Sequence, residues 1–338
     1  MALFATHNAD TEAQVRGSDL FPVCLAVMQP GTLAPVDLFM QTGDPGRCVL
    51  YKGSGATLND GVRQRLIDNH VNQLYVRKSD AEPYYSYVEQ HITAIIRDDM
   101  LPIEEACTLV HENSCRVMRS VFENPRSGRN LRRAYAMVES MVLSVLKNPA
   151  ALWHITALAS HDYVTYQHSV NVALFLVATA RDLLGVKRLR ELKRVAFGGV
   201  LHDVGKSQVP ADILNRPGEL SDRELARIKQ HPLVGLDIVG GCGKLSRTAA
   251  SIIRSHHENV DGSGYPDGLK WDSIPPVARL ARIVDAYDVM TTNRPYARAK
   301  TPYEAVQTML GLQGSFDVAL LRCFVAFLGP QRSQMDLE

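Results

Sequence analysis

Val200-Leu201-His202-Asp203-Val204-Gly205-Lys206 follows an amphipathic run, Leu189 to Val200, whose apolar residues recur at helical spacing. The stretch therefore puts an adjacent histidine and aspartate near a helix end. An imidazole beside a carboxylate, whose two oxygens can bridge two cations, suits borderline or hard divalent metals rather than thiolate chemistry. Two such ions about 3.5–4 Å apart hold a shared hydroxide as nucleophile and neutralise charge on a phosphoryl oxygen. Taken alone, the same dipeptide also reads as a helix-terminal histidine beside a surface aspartate.

Working outward, His256-His257-Glu258 ends a second predicted helix, Leu245 to Ser255, with Ala249, Ile252 and Ile253 on its apolar face. Adjacent histidines on a helix point about 100° apart, so one can serve each of two ions. His231 lies in Lys229-Gln230-His231-Pro232, on a helix whose start is marked by the capping box Ser221 and Glu224. Pro232 is expected to break or kink that helix and turn the imidazole outward. By itself His231 reads equally as a solvated or hydrogen-bonded side chain. His168 opens His168-Ser169-Val170-Asn171-Val172-Ala173-Leu174-Phe175-Leu176, a run apolar enough to be buried. Asp285 sits beside the core face traced by Leu280, Ile283, Val284 and Tyr287, where an unpaired carboxylate is costly. An internal hydrogen bond between His168 and Asp285 would relieve both, as would a metal. Seven such side chains in one chain, with the loop Asp261-Gly262-Ser263-Gly264-Tyr265-Pro266 among them, favour metal binding over the separate alternatives.

This order of residues, from His168 through His202-Asp203-Val204-Gly205-Lys206, His231, His256-His257-Glu258, the 261–266 loop and Asp285, resembles the HD-GYP group of the HD phosphohydrolase superfamily. The HD pair alone would indicate only the superfamily. The stretch His256 to Leu269 and Arg294-Pro295-Tyr296 narrow it, and the resemblance runs from about Asn148 to the C-terminus. It implies an all-helical catalytic domain that binds two or three metals, often iron or manganese, and hydrolyses cyclic di-GMP to pGpG or on to GMP. Carried onto this chain, the metal ligands fall on His168, His202, Asp203, His231, His256, His257 and Asp285, with Asp203 bridging. Lys206 then reaches a phosphate or protonates the leaving oxygen, supplying charge where an oxyanion develops. Its other reading is a lysine on free helix carbonyls. Gly264, Tyr265, Pro266 and Arg294 are the substrate-binding candidates, the arginine because a planar guanidinium suits phosphate. Tyr265 would stack on guanine or hold a phosphate, or else anchor the loop beneath the helices.

Three positions depart from the family pattern. Where members with a third metal carry glutamate, four residues before the first histidine, this chain has Val164. Asp162 is roughly 240° round the helix from His168 and a poor substitute, so two ions are expected. Basic residues expected after the Arg-Pro-Tyr and His-His-Glu stretches are Ala297 and Asn259, with Arg298 and Lys300 near the first. They keep open a receptor that binds cyclic dinucleotides with little or no turnover. A general HD-type nucleotide phosphohydrolase is the other alternative.

The 338 residues suggest at least two domains at the usual ~100–200 residues each. A net charge of +1 makes no overall case for a nucleic-acid polymer or an anionic membrane. Six cysteines without paired spacing suggest reduced thiols. The longest apolar run, Val172 to Ala180, is too short to span a bilayer, and no signal pattern opens the chain, so a cytoplasmic protein is expected. Residues 1–18 read as a flexible N-terminus. Residues 19–86 read as a small α+β regulatory or interaction domain, with strands Val36 to Gln41, Cys48 to Lys52 and Gln73 to Arg77 and a helix Leu58 to His70. Tyr84-Tyr85-Ser86-Tyr87 offers either a binding surface or helix packing. Bridging helices over 87–147, interrupted at Asn124-Pro125-Arg126-Ser127-Gly128, are candidates for homodimer contacts, and the N-terminal module for a signalling partner. Residues 148–338 form the catalytic domain, with one late helix starting at Thr301-Pro302-Tyr303-Glu304. The fold class is therefore mainly α, an all-helical HD-type domain behind a small α+β domain.

Overall fold

The computed structural model describes residues 15–42, 47–147, 165–214, 216, 218–241, 243–293 and 298–329, and among these the strands are confined to the first hundred positions. One compact unit is Met1–Ala106 and the other Cys107–Glu338.

The first unit is built on an antiparallel sheet of five strands, β1 (Val15–Arg16), β2 (Leu20–Cys24), β3 (Leu38–Gln41), β4 (Arg47–Lys52) and β5 (Gln73–Arg77), in the order β1-β4-β3-β5-β2. The three expected strands are present, whereas β1 and β2 were not foreseen. Pro22 disguises β2, since proline lacks the N–H that a central ladder needs. The strand lies at the sheet edge and pairs only with β5, Pro22 opposite Tyr75, so no second neighbour asks for that donor. Helix α1 (Asp60–Asp68) starts where the Asn59 side chain accepts the Val62 N–H at 2.9 Å. Helix α2 (Ala81–Arg97) buries Tyr84 and Tyr87. Phe21 meets the Tyr84 ring edge-on at 5.5 Å, and the Tyr87 hydroxyl accepts the Gln29 N–H at 2.8 Å, so the tyrosine cluster is packing.

Among the described residues the second unit has helices as its regular elements, plus one isolated bridge between Asp261 and Lys270. These are α3 (Ile103–Glu123), which begins just before the division, α4 (Gly128–Lys147), α5 (Thr165–Leu183), α6 (Leu189–Leu201), α7 (Ala211–Leu214), α8 (Asp222–Ile228), α9 (His231–Gly240), α10 (Arg247–Ser255), α11 (Pro276–Thr291), α12 (Pro302–Gly311) and α13 (Val318–Leu328). Every residue of α5 from His168 to Ala180 is buried, because α4, α6, α11 and α13 pack around it. A helix apolar on all sides is stable only at such a centre. With each buried Val or Leu contributing about 1.5–3 kcal/mol, α5 is the rigid post from which His168 projects.

Caps set the other boundaries. Ser221 and Glu224 form the expected capping box of α8, Thr301 and Glu304 that of α12, and the Ser246 hydroxyl accepts the Ala249 N–H at the start of α10. One expectation changes here. The helix starting after Ser221 ends at Ile228, and a new helix begins at His231 itself. Pro232 kinks nothing, because a proline in the first turn gives up an N–H that has no intrahelical acceptor. The His231 imidazole is buried rather than turned outward.

Candidate metal centre

Three helix ends and two helix bodies converge on Asp203. His168 comes from within α5, His202 caps α6, His231 opens α9, His256 caps α10 with His257 next to it, and Asp285 lies on α11. The seven side chains form two groups. His168, His202 and Asp285 make one, and Asp203, His231, His256 and His257 the other, with donor atoms within 4.8 Å of one another in each. Asp203 joins them: its Oδ2 lies 3.7 Å from His168 Nε2 and 3.5 Å from His202 Nε2, and its Oδ1 lies 3.2 Å from His231 Nε2 and 3.7 Å from His256 Nε2. Asp285 Oδ1 stands 3.0 Å from His168 Nε2 and its Oδ2 3.9 Å from His257 Nδ1. His256 and His257 thus fall in the same group rather than one in each, although His257 also approaches Asp285.

Four of the imidazoles have the same orientation. Nδ1 of His202 is 2.7 Å from the Gly199 carbonyl, that of His231 2.8 Å from the Ile228 carbonyl, that of His256 3.0 Å from the Ile253 carbonyl, and that of His168 2.7 Å from Asp288 Oδ2. An acceptor at each Nδ1 places the proton there and leaves Nε2 as a lone pair aimed inward. The inward nitrogens then face one another without a proton between them, His168 and His202 at 3.3 Å and His231 and His256 at 3.1 Å. Facing lone pairs repel, and Asp203 Oδ1, buried in the same place, accepts no hydrogen bond. His257 Nε2 is likewise buried without a partner. Five imidazoles and two carboxylates so disposed fit divalent cations, which supply what the donors lack.

The electrostatics agree. Burial drives the His202 pKa down to about 3 and lowers those of His231 and His257. Burial opposes ionisation of Asp203, but Lys206, its Nζ 2.6 Å from Oδ2, and the surrounding histidines together outweigh it and hold the carboxyl well below its usual range. His202, His231, His257 and Asp203 are thus already in their metal-binding protonation states at neutral pH. A neutral histidine in the fold and a titrating one in the unfolded chain give a definite sign: the folded state binds fewer protons, so the metal-free protein loses stability as pH falls from 6.5 toward 3. Melting curves with chelator should therefore show a lower Tm at pH 5.5 than at pH 7.5. An equal or higher Tm at the acid pH contradicts buried neutral imidazoles.

Lys206 lies not on a helix but on the 3-10 turn Val204–Gln208, and it faces Asp203 rather than free helix carbonyls. In the 261–266 loop, the Tyr265 ring stacks on His257 at 4.6 Å and is linked to Pro266 by a cis peptide. Burial pushes its hydroxyl pKa up. A Cβ on Gly264 would overlap the backbone of Glu258 and Asn259, so the glycine permits the loop to lie on the His257 segment. Arg294 lies outside the described residues, as do Asp162, Val164 and Pro295 to Ala297.

Two contributors were missed. Asp288, one turn beyond Asp285, orients His168, and the repeat of aspartate at i and i+3 was its only sequence signal. An outer-shell carboxylate of this kind is worth roughly 10–100-fold in metal affinity; Asp288→Asn should lose affinity by that factor in a chelator competition, and an unchanged affinity would remove its orienting role. The other is Glu258, which follows His257 but serves the loop and not the cluster. Its carboxylate accepts the N–H groups of Asp267 at 2.7 Å and Leu269 at 2.8 Å and clamps the loop.

The HD domain family matches residues 127–320. Cyclic di-GMP phosphodiesterase PA4108 of Pseudomonas aeruginosa is 36% identical over 212 residues, 62% of this chain and 51% of the relative. The cyclic di-GMP phosphodiesterase response regulator RpfG of Xanthomonas campestris is 36% identical over 150 residues, 44% of this chain and 38% of the relative. A 3'3'-cGAMP-specific phosphodiesterase 2 of Vibrio cholerae is 32% identical over 159 residues, 47% and 30% of the two chains. The chain thus spans about half or less of the length of these relatives. The solved structure of Bd1817, a HDG"Y"P protein from Bdellovibrio bacteriovorus, superposes with a TM-score of 0.61 at 22% identity, covering 90% of this chain and 97% of the other, a likeness of fold. With the HD model covering more than half of the chain, and the His-Asp pair and Gly-Tyr-Pro loop meeting at one centre, the chain belongs to the HD domain family, in its HD-GYP group.

Proposed function

We propose that this protein is a metal-dependent phosphodiesterase that opens cyclic di-GMP to pGpG, binding two divalent ions, iron first and manganese as the alternative, through His168, His202, Asp203, His231, His256, His257 and Asp285. The observation that carries the reading is the pair of donor groups joined through the two oxygens of Asp203, with unprotonated Nε2 atoms facing inward. Bound ions would supply Lewis acidity and an activated water. The chain's own groups do the rest. Lys206, beside Asp203, is the cation in reach of a developing oxyanion and the group to return a proton to the leaving oxygen. Tyr265, fixed on His257, forms the wall against which a guanine or a phosphate would rest, with Gly264 and Pro266 shaping its rim and Arg294 taking a second phosphate contact.

The relatives' names support a cyclic dinucleotide and divide between cyclic di-GMP and 3'3'-cGAMP. Protein purified without oxygen should hold about two metals per chain and convert cyclic di-GMP to pGpG in preference to 3'3'-cGAMP. Metals and tight nucleotide binding without turnover, also after reconstitution with iron or manganese, would favour the receptor. Hydrolysis of nucleotides at large without preference for cyclic dinucleotides would favour the general phosphohydrolase. No described helix is long and apolar enough to cross a membrane. Action in the cytoplasm, dimer contacts through the helices of 87–147 and a signalling partner for the N-terminal unit complete the proposal.

A further inference from the structure

Three arginines surround the loop and α11, and two of them are paired. Arg254 forms a fork with both oxygens of Asp267, at 2.6 and 2.8 Å, and Arg279 pairs with Asp317 at 2.7 Å while lying over the Trp271 ring. Arg282 differs. It sits one helical turn before Asp285 on α11, half-buried, and no carboxylate among the described residues pairs with it. Its Nε donates to Asn259 Oδ1 at 3.2 Å, two residues past His257, and its guanidinium lies 4.9 Å from the centroid of the buried Phe316 ring. Asn259 is held in turn, its Nδ2 donating to Ser263 Oγ at 3.0 Å, and Ser263 Oγ donating to Asp261 at 2.6 Å. An arginine immobilised by a neutral amide and an aromatic face keeps both Nη groups available, and they have no hydrogen-bond partner among the described residues. Its charge is felt within the site, since Arg282 and Lys206 both act on the Tyr265 hydroxyl.

An unneutralised, preorganised guanidinium beside a metal cluster is built for an anion that the metals also attract. We propose that Arg282 is a phosphate-binding residue of this site, holding a phosphodiester oxygen of the substrate through its Nη groups and acting in affinity rather than in the chemical step. The substrate's being a cyclic dinucleotide rests on the function proposed above; the phosphate contact itself does not.

The test uses the metal-loaded full chain and two probes, inorganic phosphate followed by calorimetry and cyclic di-GMP followed by turnover. Arg282→Gln should weaken phosphate binding about 10- to 100-fold and raise KM by a similar factor, the range of a lost charge-assisted contact. Metal content, Tm and kcat should stay close to those of the parent protein, and Arg282→Lys should recover part of the loss. Asn259→Ala, which frees the guanidinium without removing its charge, should give a smaller rise in KM. Unchanged phosphate affinity in Arg282→Gln, or weaker binding that appears only together with lost metal or a lowered Tm, overturns the proposal. If the parent protein turns over no cyclic dinucleotide, the substrate reading fails alone, and the phosphate titration still decides the role of Arg282.

Discussion

Asp203→Ala should strip both ions from the centre and take hydrolysis below detection. Asp203 lies between the two donor groups, with Oδ1 toward His231 and His256 and Oδ2 toward His168 and His202. If an outer-shell contact is worth about 10–100-fold in metal affinity, an oxygen lost from both ions compounds to beyond about 10³-fold. Lys206 also loses its partner. Breaking a buried pair costs about 3–5 kcal/mol where the remaining charge stays buried, but the Lys206 side chain is 19% exposed and can turn to water, so the fold should survive. Asp203→Asn separates the two effects, keeping the shape while removing the charge. Metal analysis on both variants is decisive: two tightly held ions per chain in Asp203→Ala would falsify the assignment of Asp203 as the shared ligand.

Gly205→Ala should be nearly as damaging, for a reason of space alone. Gly205 adopts no left-handed backbone, so a turn does not require the glycine. A Cβ built there overlaps the carbonyl oxygen of His231 and comes within 2.8 Å of the Gly235 nitrogen, both backbone atoms at the start of α9. A side chain could swing away from such a clash, whereas backbone moves only with its helix. Overpacking usually costs about 1–3 kcal/mol, and contact with backbone lies at the upper end. At about 2–4 °C per kcal/mol for a unit of this size, Tm should fall by roughly 6–12 °C. Because Gly205 and His231 lie on opposite sides of the contact, moving α9 outward also opens the 3.2 Å approach of His231 to Asp203. A variant that melts within a degree or two of the parent and holds its full metal would show that the two segments can separate freely.

The types of donor side chain and the starts of several helices are legible in the sequence alone. Ligand type belongs to a side chain wherever it folds, so the seven residues chosen from their character are the seven that meet in space. Caps are equally local: Ser221 with Glu224 and Thr301 with Glu304 mark helix starts through bonds three residues long. Tertiary structure alone decided how the seven divide. Which oxygen of Asp203 faces which histidines, and why His256 and His257 share a group, depend on the angles at which α5, α6, α9, α10 and α11 meet. The same holds for Asp288, 120 positions from the His168 it orients, for Gly205, needed only because α9 lies against it, and for Arg282, with which no carboxylate among the described residues pairs. Pro22 is the converse case, a residue without a backbone donor that the sheet accepts because topology placed its strand at an edge. Local propensity is written in a few adjacent residues; the direction in which a side chain points across a core is set by helices distant in sequence, and only packing brings those together.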